Sequence, residues 1–176
     1  MGAAEMLGIV DDLGREVGSA PRWRVRRDNL RHRATAVLVR DGTGAVYVHR
    51  RTADKDVYPG AHDVWAGGCV LAGEDVDAAA TRELAEELGI TGVMPTPVDV
   101  FDFADDSTRY EAHCYEIRWD GPVVHQVEEV AWGAWLTVAE LRSRLADPSW
   151  PFVPDGRVGF ERWLARHAGT ASGTDS

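Results

Sequence analysis

Three carboxylates, Glu83, Glu86 and Glu87, stand at spacing i, i+3, i+4. On a helix that spacing gathers them on one face, about a turn apart. Like charges so placed destabilise a helix by roughly 0.2–0.5 kcal/mol per pair. A divalent cation reverses that cost. Hard cations such as Mg²⁺ take carboxylate oxygens and leave positions open for phosphate and water. Taken alone, an acidic run of this kind also reads as a solvated helix face. Arg51 and Lys55, the latter the chain's single lysine, stand at the end of an expected strand. A guanidinium fork there suits bidentate phosphate binding, and a plain basic surface is the competing reading. Glu111 and His113 sit two apart on an expected strand and so share a face, lining a pocket or lying in the core or at the surface.

These groups need elements to hold them. Asp75 is a suitable N-cap for the acidic helix, an alanine-rich run continues it, and Gly89 is a stop signal. Ala80, Leu84 and Leu88 make a narrow apolar stripe, so one side packs while the adjacent side collects charge. Before it, Met6 to Val10 and Arg15 to Val17 read as a hairpin across Asp11-Asp12-Leu13-Gly14. Arg22 to Leu30 reads as a short basic helix or irregular arm, with a merely solvated charged face as the competing reading. Ala34 to Val39 and Ala45 to His49 form a second hairpin, and Thr52 to Ala61 is a polar loop. Val64-Trp65-Ala66 is a short strand delivering Gly67-Gly68. After the acidic helix come strands at Val98 to Phe103, Tyr110 to Trp119 and Ala131 to Leu136. Thr137 with Glu140 is a capping-box start for a helix through Leu145, and a last amphipathic helix runs from Gly156 or Arg157 to His167. The small polar stretch 169–176 is expected to be disordered. The resulting organisation is an arm over 1–33, one domain over 34–168, and the tail.

The chain has 176 residues and a net charge of −10. The length suits one domain. The charge argues against nucleic acid or an anionic membrane as a bulk electrostatic partner. A polyanionic substrate would then need placed cations, either metal or the few basic side chains. Cys69 and Cys114 make neither a disulfide framework nor a zinc motif. No signal peptide or long apolar run is seen, so a soluble cytoplasmic protein is the default expectation.

Gly68 is followed after five residues by Glu74, and seven residues later by Arg82-Glu83-Leu84-Ala85-Glu86-Glu87-Leu88-Gly89-Ile90. Position for position this resembles G-x5-E-x7-R-E-U-x-E-E-x-G-U, the signature of the Nudix hydrolases, where U is a bulky aliphatic. The resemblance implies an α/β/α sandwich with a mixed β-sheet between helices, here extended by the N-terminal hairpin. It implies hydrolysis of a diphosphate linked to another moiety, with Mg²⁺ as cofactor and Mn²⁺ as an alternative. By resemblance, Glu83 and Glu87 ligate metal, Glu86 ligates or positions water, and the Gly68 carbonyl can add a ligand. Arg82 is then an orienting ion-pair partner and Glu74 a supporting residue. The general base in several relatives is an acid on a loop after the box. Glu129 is the choice here, with its neighbour Glu128 and with Glu111 as alternatives. Dimerisation is common in the family, and the N-terminal hairpin is a candidate to mediate a homodimer.

The flanks resemble the isopentenyl-diphosphate isomerases and the hydrolases nearest them: His32-Arg33-Ala34, Arg50-Arg51-x3-Lys55-x3-Pro59-Gly60-x4-Trp65, and Trp150-x-Phe152-x-Pro154. The isomerases carry a Cys and a His where this chain has Val70 and Ala72, and a metal-binding His where it has Val25. The intact box therefore favours a hydrolase over an isomerase. A non-catalytic ligand-binding module is a third reading, set against the retention of every glutamate. The seven tryptophans could stack on a base, but no motif names the substrate.

Overall fold

The computed structural model describes residues 5–168, so the tail at 169–176 lies outside the described residues. Nine strands form one mixed sheet. Its centre is β3 (His32–Arg40). On one side β3 runs parallel to β8 (Arg109–Arg118), in continuous register from His32↔Tyr110 to Arg40↔Arg118. Strand β7 (Thr96–Ala104) completes that side, antiparallel to β8. On the other side β3 meets β4 (Val46–Arg51) at Arg40↔Val46. The two then part. Strand β4 pairs with β5 (His62–Asp63) and β9 (Val130–Leu136), while β3 pairs with β6 (Trp65–Ala66). The sheet is thus open between β3 and β4, and the functional cavity sits in that opening.

Alternation along the strands supplies two apolar faces. Val37, Val39, Tyr47, Tyr115 and Ile117 pack under α2 (Val76–Leu88), through its Ala80, Leu84 and Leu88. Leu38, Val46, Val48, Ala112 and Cys114 face the opposite layer, made by α3 (Val138–Leu145) and α4 (Pro154–Ala168). Helix–sheet–helix is the sandwich that the box resemblance implied. Burying a leucine such as Leu84 completely contributes about 1.5–3 kcal/mol relative to exposure. Local signals explain the helix ends. Asp75 accepts from the Asp77 and Ala78 amides, Gly89 takes a left-handed φ of 64°, and Thr137 with Glu140 forms the full capping box.

The N-terminal arm is stitched to this core. Strands β1 (Met6–Val10) and β2 (Glu16–Pro21) pair as a hairpin, and Ile9 bridges His32. Strand β2 runs further than the Arg15 to Val17 expected. Helix α1 (Arg22–Arg27) is shorter than Arg22 to Leu30, because Asn29 turns the chain at a positive φ of 45°. Its Val25 is buried with Leu7, Ala20 and Cys69. Both cysteines are free and buried. Among the described residues no helix is long and apolar enough to cross a membrane.

Candidate functional site

Helix α2 does not present a solvated acidic face. Glu83 and Glu87 are 9% and 5% exposed, while the Glu86 side chain is half exposed. Their burial comes from the turn above them. Gly67 passes so close to β3 that a Cβ there would meet the Thr35 carbonyl, and a Cβ at Gly68 would lie 2.7 Å from the Glu83 carboxyl. Glycine at both positions lets the backbone settle onto the two carboxylates. The Gly67 amide donates to Glu87 Oε2 at 3.1 Å. The Gly68 carbonyl accepts from the Thr35 amide at 2.8 Å and from the Thr35 hydroxyl at 3.5 Å.

Arg82 organises the rest of the face. Its guanidinium grips Glu74 through Nε and Nη2 at 2.8 and 3.0 Å, and its Nη1 reaches Glu83 at 2.6 Å and Glu86 at 3.2 Å. Glu74 also accepts from the Leu71 amide, fixing the loop that leads into the helix. Arg82 hydrogen bonding holds Glu74 below the usual carboxylate range. Burial pushes Glu83 up against the opposing pull of Arg82. Burial also raises Glu87 to about 7, against the partial relief of Lys55.

The facing wall is cationic. Arg51 donates from Nε to the Val57 carbonyl at 3.1 Å, and Lys55 forms an ion pair with Glu129. Two hydrogen bonds tie the loop carrying Lys55 to the loop carrying Glu129: Thr52 N to Glu129 O at 3.1 Å and Thr52 Oγ1 to Glu128 O at 2.9 Å. Glu129 lines the cavity, whereas the Glu128 side chain is exposed outside it. Arg51, Lys55, Glu129 and the glutamates of α2 therefore border one cavity of about 260 Å³.

The structure decides between readings that the sequence left open at two places. Glu111 and His113 do not line this cavity. Tyr110, Ala112 and Cys114 on alternate positions of β8 do, so the intervening residues point to the other face. There His113 meets Glu111 at 2.7 Å, and Arg31 reaches Glu111 at 3.4 Å, which places Glu111 away from the α2 carboxylates. The charged face of α1 is not simply solvated either. Burial of Val25 turns Arg22 and Arg26 into the cavity wall, where Arg22 pairs with Glu5 at 2.9 Å and Arg26 with Asp56 at 3.4 Å. Arg26 also donates to Thr108 at 2.8 Å, yet its buried Nε has no hydrogen-bond partner. The i, i+4 spacing of Arg22 and Arg26 beside an apolar Val25 was the available signal for this.

At the α4 end of the cavity stand Asp63 and Asp155, neither singled out by the sequence reading. Asp63 is 7% exposed and accepts from the Val64 and Trp65 amides through Oδ1 at 2.7 and 3.1 Å. Asp155 Oδ2 accepts from the Tyr110 hydroxyl, while its buried Oδ1 has no partner.

The donor set on α2 suits a hard divalent cation. Glu83 and Glu87 are oxygen donors, both buried, and burial is what raises Glu87 above the usual carboxylate range. Among the described residues no group of three or more His, Cys, Asp or Glu side chains is placed to hold a metal ion. Glu83 and Glu87 are the buried pair of this face, while Glu86 is half exposed and pairs with Arg82 at 3.2 Å.

With this geometry in place, similarity to known proteins is informative. The NUDIX domain family matches residues 30–156. A Nudix hydrolase of Streptomyces coelicolor is 45% identical over 98% of this chain and 95% of its own length. One from Rhodococcus erythropolis is 43% identical over 89% and 90%, and YfcD of Escherichia coli K12 is 36% identical over 96% and 91%. Among solved structures, DR0079 of Deinococcus radiodurans superposes with a TM-score of 0.74 at 26% identity, covering 88% of this chain and 96% of that one. The NUDIX domain of Shewanella oneidensis NrtR, solved with ADP ribose, shares the fold at a TM-score of 0.61 and 15% identity, over 76% and 86% of the two chains. The sandwich is the fold of these neighbours, and with a family match over most of its length and relatives at 36–45% identity, this chain belongs to the Nudix hydrolase family.

Proposed function

We propose that this hydrolase cleaves the diphosphate linkage of a nucleoside diphosphate-X or similar small diphosphate, with Mg²⁺ or Mn²⁺ held by Glu83 and Glu87. One observation carries the reading: two buried carboxylates under a glycine turn face a wall of Arg22, Arg26, Arg51 and Lys55 across one cavity. Carboxylates alone would repel a diphosphate. Cations alone would bind it without activating water. Together they fit an anionic substrate and the metal that neutralises it.

When bound, the metal supplies charge neutralisation at the phosphoryl oxygens and acidifies water. Arg82 fixes Glu83 and Glu86 so that their oxygens keep one direction. Arg51 and Lys55 orient the diphosphate. Substrate phosphate competes with Glu129 for the Lys55 ammonium. Glu129 is then free to accept a proton from the attacking water as the P–O bridge breaks. The leaving phosphate carries away the bridging oxygen.

The test is a Mg²⁺-dependent hydrolysis screen, read by separating the phosphomonoester products, over nucleoside diphosphates, ADP-ribose and other nucleoside diphosphate sugars, dinucleotides and isopentenyl diphosphate, with isomer analysis of the last. ADP-ribose belongs there because NrtR, of the same fold, was solved with it. Hydrolysis of one class, abolished by EDTA, supports the reading. Isomerisation without hydrolysis, or binding without turnover of any compound, overturns it.

A further inference from the structure

The connection from β8 to β9 ends on Glu129, the residue assigned as base. Apolar contact anchors it poorly, since Val124 and Val127 are 64% and 75% exposed. Polar contacts hold it instead. The Val124 amide donates to the Leu88 carbonyl at 2.9 Å and the Gln126 amide to the Glu87 carbonyl at 3.1 Å, so the connection caps the end of α2 that carries Glu87. A Cβ on Gly89 would lie 3.0 Å from Val124, so the glycine that stops α2 also admits the connection. The Glu129 and Val130 amides both donate to the Gln126 carbonyl at 2.9 Å, which closes 126–130 into a turn, and Thr52 fastens its last residues to the loop of Lys55. Between the two bonds to α2 stands His125, whose Nε2 meets the Tyr47 hydroxyl at 2.6 Å. Burial lowers His125 from the usual histidine range, which favours the neutral ring that accepts from a phenol.

The fold makes room for this contact. Tyr47 is 6% exposed on β4, with its ring edge-on to Trp135 at 5.0 Å between centroids. A Cβ on Gly133 would fall on the Tyr47 hydroxyl and lie 2.7 Å from His125 Nε2. A glycine inside a strand weakens it and marks a close approach. Strand β9 therefore gives up a side chain where Tyr47 meets His125. We propose that Tyr47 and His125 are positioning residues that hold Glu129 at the Glu87 end of α2, by pinning the connection between its two bonds to the helix. The inference rests on the proposed role of Glu129 as base. It goes further by making the alignment of base and carboxylates depend on a contact between two other residues. A reacting group displaced by about 1 Å can cost about a hundredfold in rate. Arg51, Lys55, Glu83 and Glu87 would stay in place, so the cost falls on kcat and not on KM.

The test compares Tyr47→Phe, His125→Leu and His125→Gln in two readouts. The first, hydrogen exchange of the backbone amides over 124–130, needs no turnover. Tyr47→Phe and His125→Leu should speed it about tenfold. His125→Gln, which keeps an acceptor near the Nε2 position, should restore the wild-type protection. The second readout is kinetic. Tyr47→Phe and His125→Leu should lower kcat about 10- to 100-fold, with KM and Mn²⁺ affinity kept and with His125→Gln near wild type. In a Glu129→Gln background, Tyr47→Phe should lower kcat no further, because the base it aligns is already gone. Wild-type exchange in both Tyr47→Phe and His125→Leu overturns the inference. So does a loss of kcat that multiplies with that of Glu129→Gln, or a raised KM at kept kcat. A Glu129→Gln protein with full kcat would overturn the base and this inference together. Faster exchange in the variants of a protein whose wild type hydrolyses no diphosphate would support the pinning and strike the proposed function instead.

Discussion

The two ends of the cavity each bury a pair of carboxylates, by opposite means. At the α2 end, Glu83 and Glu87 come from one helix, a turn apart, and lie under a turn whose glycines allow the contact. Arg82 and the cations opposite moderate their charge. At the α4 end, Asp63 and Asp155 come from a two-residue strand and the first turn of a late helix. Burial and their mutual repulsion drive Asp63 well above the usual carboxylate range, and burial raises Asp155. Helix spacing gathers the first pair, and tertiary packing alone assembles the second.

Breaking the α2 end should have the largest effect. Glu87→Gln keeps size and the Gly67 contact but removes a charged ligand. Losing several kcal/mol of charge stabilisation lowers kcat about a thousandfold or more, read by separation of the phosphomonoester products, with the fold checked by thermal melting. Arg82→Ala acts indirectly by releasing Glu74, Glu83 and Glu86. It should weaken the apparent Mg²⁺ affinity by about 10- to 100-fold, and excess Mg²⁺ should recover part of the rate. Arg26→Gln removes a cavity cation from the arm. It should raise KM for a diphosphate about tenfold with kcat nearly kept, and an unchanged KM would remove the arm from the binding site.

The smallest effect sharpens the comparison through pH. Glu87 has its folded-state value raised to about 7, so the folded protein holds that proton more tightly than the unfolded chain. The sign follows: this contribution to stability is present below the ordinary glutamate range and is lost as pH rises through about 7. In EDTA the melting temperature should fall between about pH 5 and pH 8, Asp63 and Asp155 acting in the same direction. Mg²⁺ should restore it at the upper pH and do little at the lower. Glu87→Gln should flatten the Mg²⁺-sensitive part and leave the part due to the aspartates.

The helix that carries the box was readable because its determinants are local: the Asp75 cap, the alanine run, the Gly89 stop and the glutamate spacing. The sandwich followed from strand order and from the resemblance. Burial of Glu83 and Glu87 was not readable, since it depends on Gly67 and Gly68 lying against β3 and α2. Alternation showed that Glu111 and His113 share a face. Which face required the parallel register with β3 and the position of α4. Asp63 and Asp155 left no periodic trace, because a single inter-segment bridge and the approach of Gly156 bring them together.

The central claim is that Glu83 and Glu87 hold the metal that drives hydrolysis. Its most direct measurement is a calorimetric titration of Mn²⁺ into wild type and Glu87→Gln at a pH above 7. The account predicts saturable binding to wild type that weakens at least tenfold in the variant, alongside the loss of hydrolysis. Equal Mn²⁺ affinity in the two proteins would contradict it and move the metal, and the chemistry, away from this face of α2.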